Sequence, residues 1–303
     1  MLGVDMLNSG KTSEALNIFK KILKFNPQDN DLLQKAEYEV ADCYAKLGQD
    51  KEALTRFKFL RAKYPDSKLT PEILWWLGQY YYRSNDPALA RRYLGSLTSD
   101  FKDSRVCADA FYLLGLMNGD EDRFAQAQDD LRLAIKQGGP ELKRQAAIEL
   151  ADIYNRQGKT QDALNAYKDI LDESPDLASL LYPKIAEGYY KAQDYEQAKV
   201  FYQKSLSLLS GDDALKAEFD LAEVLEAEGE TDEAVAEYLK VADAAEKNTK
   251  LSVRALLRAA NIYEDKDNFK EAAILYNRVI DKKTEEASFA RERIDWIRAN
   301  ANK

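Results

Sequence analysis

Few side chains in this sequence have the type and spacing for chemistry. Asp120, Glu121 and Asp122 form a cluster of potential metal ligands, but a contiguous triplet lacks the spaced ligand pattern of an EF-hand loop. It reads as a polar, acidic turn. The two thiols, Cys43 and Cys107, read as separate buried residues rather than a redox or metal pair. Histidine is absent, which removes every His-based triad, metal site and proton shuttle. Neither G-x-x-x-x-G-K-[ST] nor a strand-preceded G-x-G-x-x-G occurs, so no phosphate cradle is supported. The sequence therefore reads as non-enzymatic, with no catalytic residue, cofactor or metal site.

Charge is the next informative feature. The 303 residues carry a formal net charge of −9, with a pI of about 5.0, and no basic stripe, which argues against nucleic acid and anionic membrane as partners. No run approaches the roughly 18 apolar residues needed to span a bilayer, and no secretory h-region stands at the N-terminus. Residues 140–250 hold 24 acids and 13 bases. Within 212–237, eleven acids face the single base Lys216. This segment is either a solvated helix face or a docking surface for a basic partner.

The elements that must carry these residues are helices. In Ala147–Pro175, small and apolar residues at Ala147, Leu150, Ala151 and Tyr154 form the i, i+3, i+4, i+7 stripe of one helix. Gly158 ends that helix. A second stripe at Ala163, Tyr167 and Ile170 runs to Pro175. Such a pair cannot bury both apolar faces alone and needs copies of itself as neighbours. Equivalents of Ala163 stand at Ala15, Ala53, Ala90, Ala127, Ala198, Ala234 and Ala272, at steps of 35 to 38 residues. Four residues after each marker comes Phe19, Phe57, Leu94, Leu131, Tyr167, Tyr202, Tyr238 or Tyr276. Twelve residues before each comes Gly3, Ala41, Gly78, Gly115, Ala151, Ala186, Ala222 or Ala260. Proline follows twelve residues after three markers, at Pro27, Pro65 and Pro175. Glycines at 10, 48, 158 and 229 fall in the turns.

At these residues the chain resembles the tetratricopeptide repeat family, whose unit is about 34 residues with a W-x2-L-G-x2-Y…A-x3-F…P signature. The first half appears as VADCY (40–44), LGQYY (77–81), LADIY (150–154) and AANIY (259–263), the second as EALTRF (52–57), DALNAY (162–167), EQAKVFY (196–202) and EAAILY (271–276). The units run slightly long, and most lack the first-helix tryptophan. Extended units and endings such as YPDS (64–67) look like bacterial cell-envelope assembly proteins of this family. The resemblance implies an all-α, right-handed α-solenoid of about eight helix pairs plus a C-terminal capping helix, as a single domain over 1–303. It places the chain in the envelope or periplasm in preference to the cytoplasm. Cys43 and Cys107 then stand on first helices two repeats apart, beyond disulfide reach.

Several local expectations follow along the chain. MLGVDML (1–7) holds only the last turns of a first helix, which reads as a fragment of a longer protein. Asp66-Ser67 with Thr70-Pro71-Glu72, and Asp103-Ser104 one unit later, read as helix N-caps. Asn118 replaces the tyrosine expected at the close of its helix, and Gln137-Gly138-Gly139-Pro140 breaks the pattern, with a change of superhelix pitch as its sharper reading. The segment 284–303 reads as a cap, with Phe289, Ile294 and Ile297 covering the last pair while Arg291, Arg293 and Arg298 face water.

In the family, first helices line a concave groove that holds peptide or protein segments. Carried over unit by unit, the groove-facing positions here are Tyr38, Trp75, Tyr82, Tyr112, Tyr190 and Phe219, with Asp42, Gln79, Asp152, Asn155, Glu187 and Glu223 between them. Aromatic rings give large contact area with few rotors to freeze. The two-carboxylate clamp of chaperone-binding members needs basic and asparagine residues on consecutive first helices. Tyr38, Asp42, Pro183 and Glu187 occupy such places, which disfavours that partner class. The function expected is a binding scaffold for a protein or peptide partner, a basic one if the acidic stretch 212–237 docks it, in a bacterial multiprotein or envelope assembly. The alternatives are a scaffold that self-associates by end-to-end stacking and an accessory domain of a larger enzyme.

Overall fold

A computed structural model describes residues 2–25, 28–245 and 249–300; Pro27 of the repeat pattern lies outside the described residues. Among these, the regular structure is helical throughout. The helices pair in chain order: α1 (Leu2–Asn8) with α2 (Thr12–Lys24), α3 (Asn30–Lys46) with α4 (Asp50–Lys63), and α5 (Thr70–Arg83) with α6 (Pro87–Asp100). Next come α7 (Cys107–Asp120) and α8 (Phe124–Gln137), α9 (Pro140–Arg156) and α10 (Thr160–Glu173), and α11 (Ala178–Lys191) and α12 (Tyr195–Leu206). The last pairs are α13 (Gly211–Glu228) with α14 (Thr231–Ala244) and α15 (Thr249–Asp265) with α16 (Phe269–Asp281), and α17 (Ala287–Asn300) follows them. Eight pairs and a terminal helix make an all-α solenoid. The chain divides into two compact units, Met1–Leu150 and Ala151–Lys303.

Each pair closes through the same three buried positions. All eight marker alanines are at most 1% exposed, and the ring or leucine four residues on is at most 6% exposed. The small residue twelve positions before the marker lets the two backbones approach. At Gly78 an added Cβ would lie 2.5 Å from Leu94 Cδ2, and at Gly115 one would lie 2.7 Å from Leu131 Cγ. Both contacts are too close for any side chain, so glycine is a packing requirement there.

The turn inside each pair also repeats. Gly10, Gly48, Asn85, Asp122, Gly158, Gln193, Gly229 and Asp267 all have φ between 55° and 94°. Their spacing is that of the markers. A left-handed residue is needed to end the first helix and reverse the chain. Glycine marks four of these turns, while asparagine, aspartate and glutamine supply the others, the first two being the side chains that best tolerate this conformation.

Three local expectations are corrected. The N-cap of α5 is Leu69, without a side-chain cap. Ser67 instead accepts a hydrogen bond from Leu69 N at 3.2 Å, closing the preceding turn, and Ser104 does the same for Val106 N at 3.4 Å. Phe289 covers the last pair only in part, its ring edge-on 6.4 Å from Tyr276 and 44% exposed, while Ile294 and Ile297 are buried. Arg293 turns inward to pair with Glu264, because a carboxylate on the preceding first helix is only 11% exposed and needs a cation.

The irregular fourth unit has its own logic. Asn118 is buried, its Oδ1 accepting from Arg91 Nη1 at 2.6 Å and its Nδ2 donating to Asp130 at 2.7 Å. The amide thus bridges a cation on α6 to a carboxylate on α8, which a tyrosine in that place could not do. Cys43 and Cys107 are buried, unbridged thiols, and burial pushes Cys43 up to about 11.

Candidate functional site

Within the first unit, three first helices present matching stripes. On α5, Trp75, Gln79 and Tyr82 fall at i, i+4 and i+7, on a different face from the buried Ile73, Leu74, Leu77 and Tyr81. On α7, Asp109, Tyr112 and Leu113 fall at i, i+3 and i+4, and on α9 Leu142 and Gln145 are one turn apart. Together these line an open cavity of about 320 Å³. Four of the residues expected on the groove, Trp75, Gln79, Tyr82 and Tyr112, are therefore brought into one depression.

Its floor is aromatic and its rim polar. Trp75 and Tyr112 are half-buried, and Tyr82 is 38% exposed. Burial raises the Tyr112 hydroxyl above the usual phenol range, with Glu149 and Tyr82 adding to it, and raises the Asp109 carboxyl as well. Gln145 is held by its Nε2 donating to Glu141 at 3.0 Å. Leu142 and Gln145 were not among the expected residues. Their signal was the Gly138-Gly139-Pro140 break, which starts α9 at Pro140 and sets both residues in its first two turns.

Tyr38 and Asp42 lie on α3 outside this cavity. Tyr38 is half-buried edge-on against Phe57, centroids 5.6 Å apart, and burial foremost, then Asp42 and Glu72, raise its hydroxyl. Asp42 pairs with Lys46 at 2.7 Å.

In the second unit most of the expected residues are already engaged. Asp152 accepts from the Tyr167 hydroxyl and from Lys184 at 2.8 and 2.9 Å. Asn155 accepts from Lys191 at 3.0 Å, and Lys191 also pairs with Glu187 at 2.6 Å. Glu223 lies 4.0 Å from Arg258. The Tyr190 ring is 6.0 Å from Tyr195. Phe219 corrects the groove assignment: it is 1% exposed, packed on Tyr238 at 5.2 Å with Arg254 above its ring at 4.5 Å. A one-position shift along a helix turns a side chain by about 100°, and this one faces the core.

These contacts form a repeated bridge between neighbouring pairs. A tyrosine four residues after the marker donates to a first-helix carboxylate, which pairs with a cation from the next first helix. The sets are Tyr167–Asp152–Lys184, Tyr238–Glu226–Arg258 and Tyr276–Glu264–Arg293. In the second set Tyr238 donates at 2.8 Å and Arg258 lies at 3.0 Å. Bases from neighbouring helices likewise take up much of the acidic stretch 212–237. Lys199 meets Glu228 at 2.6 Å, Lys240 meets Glu218, and Lys266 meets Asp232 at 2.6 Å. Asp213 and Asp220 have no ion pair among the described residues.

Two sequence-family models, both described as Tetratricopeptide repeat, match the chain, one over residues 119–178 and 219–287, the other over 35–67 and 72–104. No curated protein matches it. Among solved structures, the C-terminal part of a TPR repeat-containing protein from Cytophaga hutchinsonii is 14% identical with a TM-score of 0.57, covering 95% of this chain and 98% of that one. The apo form of the quorum sensor NprR from B. thuringiensis is 18% identical with a TM-score of 0.56, covering 97% of this chain and 96% of that one. The MamA protein is 18% identical with a TM-score of 0.50, covering 61% of this chain and 97% of that one. At these identities the likeness is one of fold. The repeated buried triplet, the recurrent left-handed turn and the matched family models agree that this chain belongs to the tetratricopeptide repeat family.

Proposed function

We propose that the chain is a non-enzymatic scaffold that holds a segment of a partner protein on the first-helix face of its first unit. The observation that carries this reading is the convergence of Trp75, Tyr82 and Tyr112 from two first helices onto one open depression. Partly exposed aromatic groups with polar neighbours are the composition of an interaction hot spot. Gln79, Asp109 and Gln145 supply hydrogen-bonding groups at the rim, suited to the backbone of an extended peptide whose apolar side chain enters the cavity. The YPDS-type unit endings favour a role in a bacterial multiprotein or envelope assembly.

A photo-crosslinking amino acid in place of Gln79 tests this. It should form a covalent adduct with one partner segment, whereas the same group in place of Gln161, exposed on the second helix α10, should not. Equal adducts from both positions would refute the reading. A second reading, self-association through end helices, is favoured by exposed apolar side chains on α1 and α17: Leu2 at 63%, Val4 at 44% and Trp296 at 43%. Light scattering across concentration decides it; a constant monomer mass excludes it.

A further inference from the structure

The bridge between neighbouring pairs in the second unit is missing once. Tyr202 occupies the same register as Tyr167, Tyr238 and Tyr276, four residues after its marker. It is only 3% exposed, yet its hydroxyl has no hydrogen-bond partner among the described residues. The cation that completes the other bridges stands 17 residues after the tyrosine at Lys184 and Arg293, and 20 residues after it at Arg258. Counted from Tyr202, these positions hold Phe219 and Ala222, both buried and apolar. The acids are nevertheless present. Glu187 on α11 and Asp220 on α13 line, with Tyr202, a cavity of about 340 Å³ whose other walls include Leu180, Pro183 and Ala217.

Three carboxylates, Glu187, Asp213 and Asp220, line this cavity against two ammonium groups, Lys184 and Lys216. Lys184 is committed to Asp152 at 2.8 Å. Lys216, one turn before Asp220 on α13, forms no ion pair with it among the described residues. Glu187 is paired with Lys191 at its outer side. Burial raises the Asp220 carboxyl to about 6, with Glu223 and Glu187 adding and Lys216 and Arg254 opposing, and Tyr202 is raised by burial and then by Asp220, Glu187 and Glu223. The Tyr202 hydroxyl and the Asp220 carboxylate thus line one open cavity, neither with a hydrogen bond or ion pair among the described residues.

We infer that the cavity between α11, α12 and α13 receives a lysine or arginine side chain of a bound polypeptide. Its methylene stem packs on Leu180, Pro183 and Ala217, and its cationic head donates to the Tyr202 hydroxyl and the Asp220 and Glu187 carboxylates. The incoming side chain supplies from outside the cation that the neighbouring bridges take from the next helix. This rests on the reading that the chain holds partner segments, but the site lies in the second unit and is built from different residues.

The test uses the full chain and a small probe, Nα-acetyl-lysine methylamide, with Nα-acetyl-norleucine methylamide as the neutral control. Methyl-resolved NMR should show saturating shifts at Leu180 and Ala217 with the lysine probe and none with the norleucine probe. Tyr202→Phe, which keeps the ring, and Asp220→Asn should each weaken lysine binding at least about tenfold, as expected for loss of a hydrogen bond to a charged group. The paired change Trp75→Ala and Tyr112→Ala should leave it unaltered, so failure here is separable from failure in the first unit. Shifts at other residues only, equal response to norleucine, or wild-type affinity in both the Tyr202→Phe and Asp220→Asn variants would overturn the inference. Should one variant lose its fold by circular dichroism, the other decides.

Discussion

Gly78 on α5 and Leu94 on α6 approach so closely that a Cβ on residue 78 would sit 2.5 Å from Leu94 Cδ2 and 2.7 Å from Cγ. Leu94 is fully buried. Gly78→Ala gains up to about 1 kcal/mol in helix propensity, yet overpacking of about 1–3 kcal/mol opposes it. Net destabilisation is expected, read as a lower denaturant midpoint. An unchanged or raised midpoint would show that the pair is looser than described.

The same substitution should have unequal consequences at two equivalent tyrosines. Tyr238→Phe deletes a donor 2.8 Å from Glu226 and should cost about 1 kcal/mol. Tyr202→Phe deletes a hydroxyl with no partner among the described residues and should cost almost nothing. Equal losses at both sites, by urea unfolding, would contradict the bridge assignment.

Gln193 closes the turn of the sixth pair at φ 61°, a conformation that costs a non-glycine residue about 1 kcal/mol. Gln193→Gly relieves that cost, though a more flexible unfolded chain offsets part of it. A gain of roughly 0.5 kcal/mol is expected. A loss of stability would mean that the side chain contributes contacts that outweigh the strain.

Asp130 is raised from its usual range to about 6, chiefly by burial, with Asp129 adding and the Asn118 amide and Arg91 opposing. The folded state therefore binds this proton more tightly than the unfolded chain. Its contribution is fully present below about pH 4 and is lost as pH rises through 6. The stability difference between wild type and Asp130→Asn should shift in favour of the variant from pH 4 to pH 7. A difference independent of pH would show that Asp130 titrates normally.

Much of this fold was legible because its period is built from residues with one physical role. An alanine at the helix crossing, a ring or leucine four residues on and a small residue twelve before recur in all eight units, so spacing alone located eight pairs. The turns were half legible: glycine announces a left-handed residue, whereas Asn85, Asp122, Gln193 and Asp267 look like ordinary polar positions. The acidic stretch 212–237 looked more charged than it behaves, because Lys199, Lys240, Arg258 and Lys266 come from neighbouring helices that a linear count cannot place. Phe219 illustrates the same gap at the site. Type and register suggested a surface ring, but only packing against Tyr238 shows which side of α13 it takes.

Trp75 and Tyr112 are the proposed anchors of a partner segment. The measurement is the affinity of the segment identified by crosslinking at residue 79, for wild type and for Trp75→Ala with Tyr112→Ala, alongside melting and far-UV circular dichroism. Truncating such an anchor typically costs about 2 kcal/mol or more, so binding should fall at least about thirtyfold while helicity and melting stay close to wild type. A folded double variant that binds its partner with unchanged affinity would contradict the account.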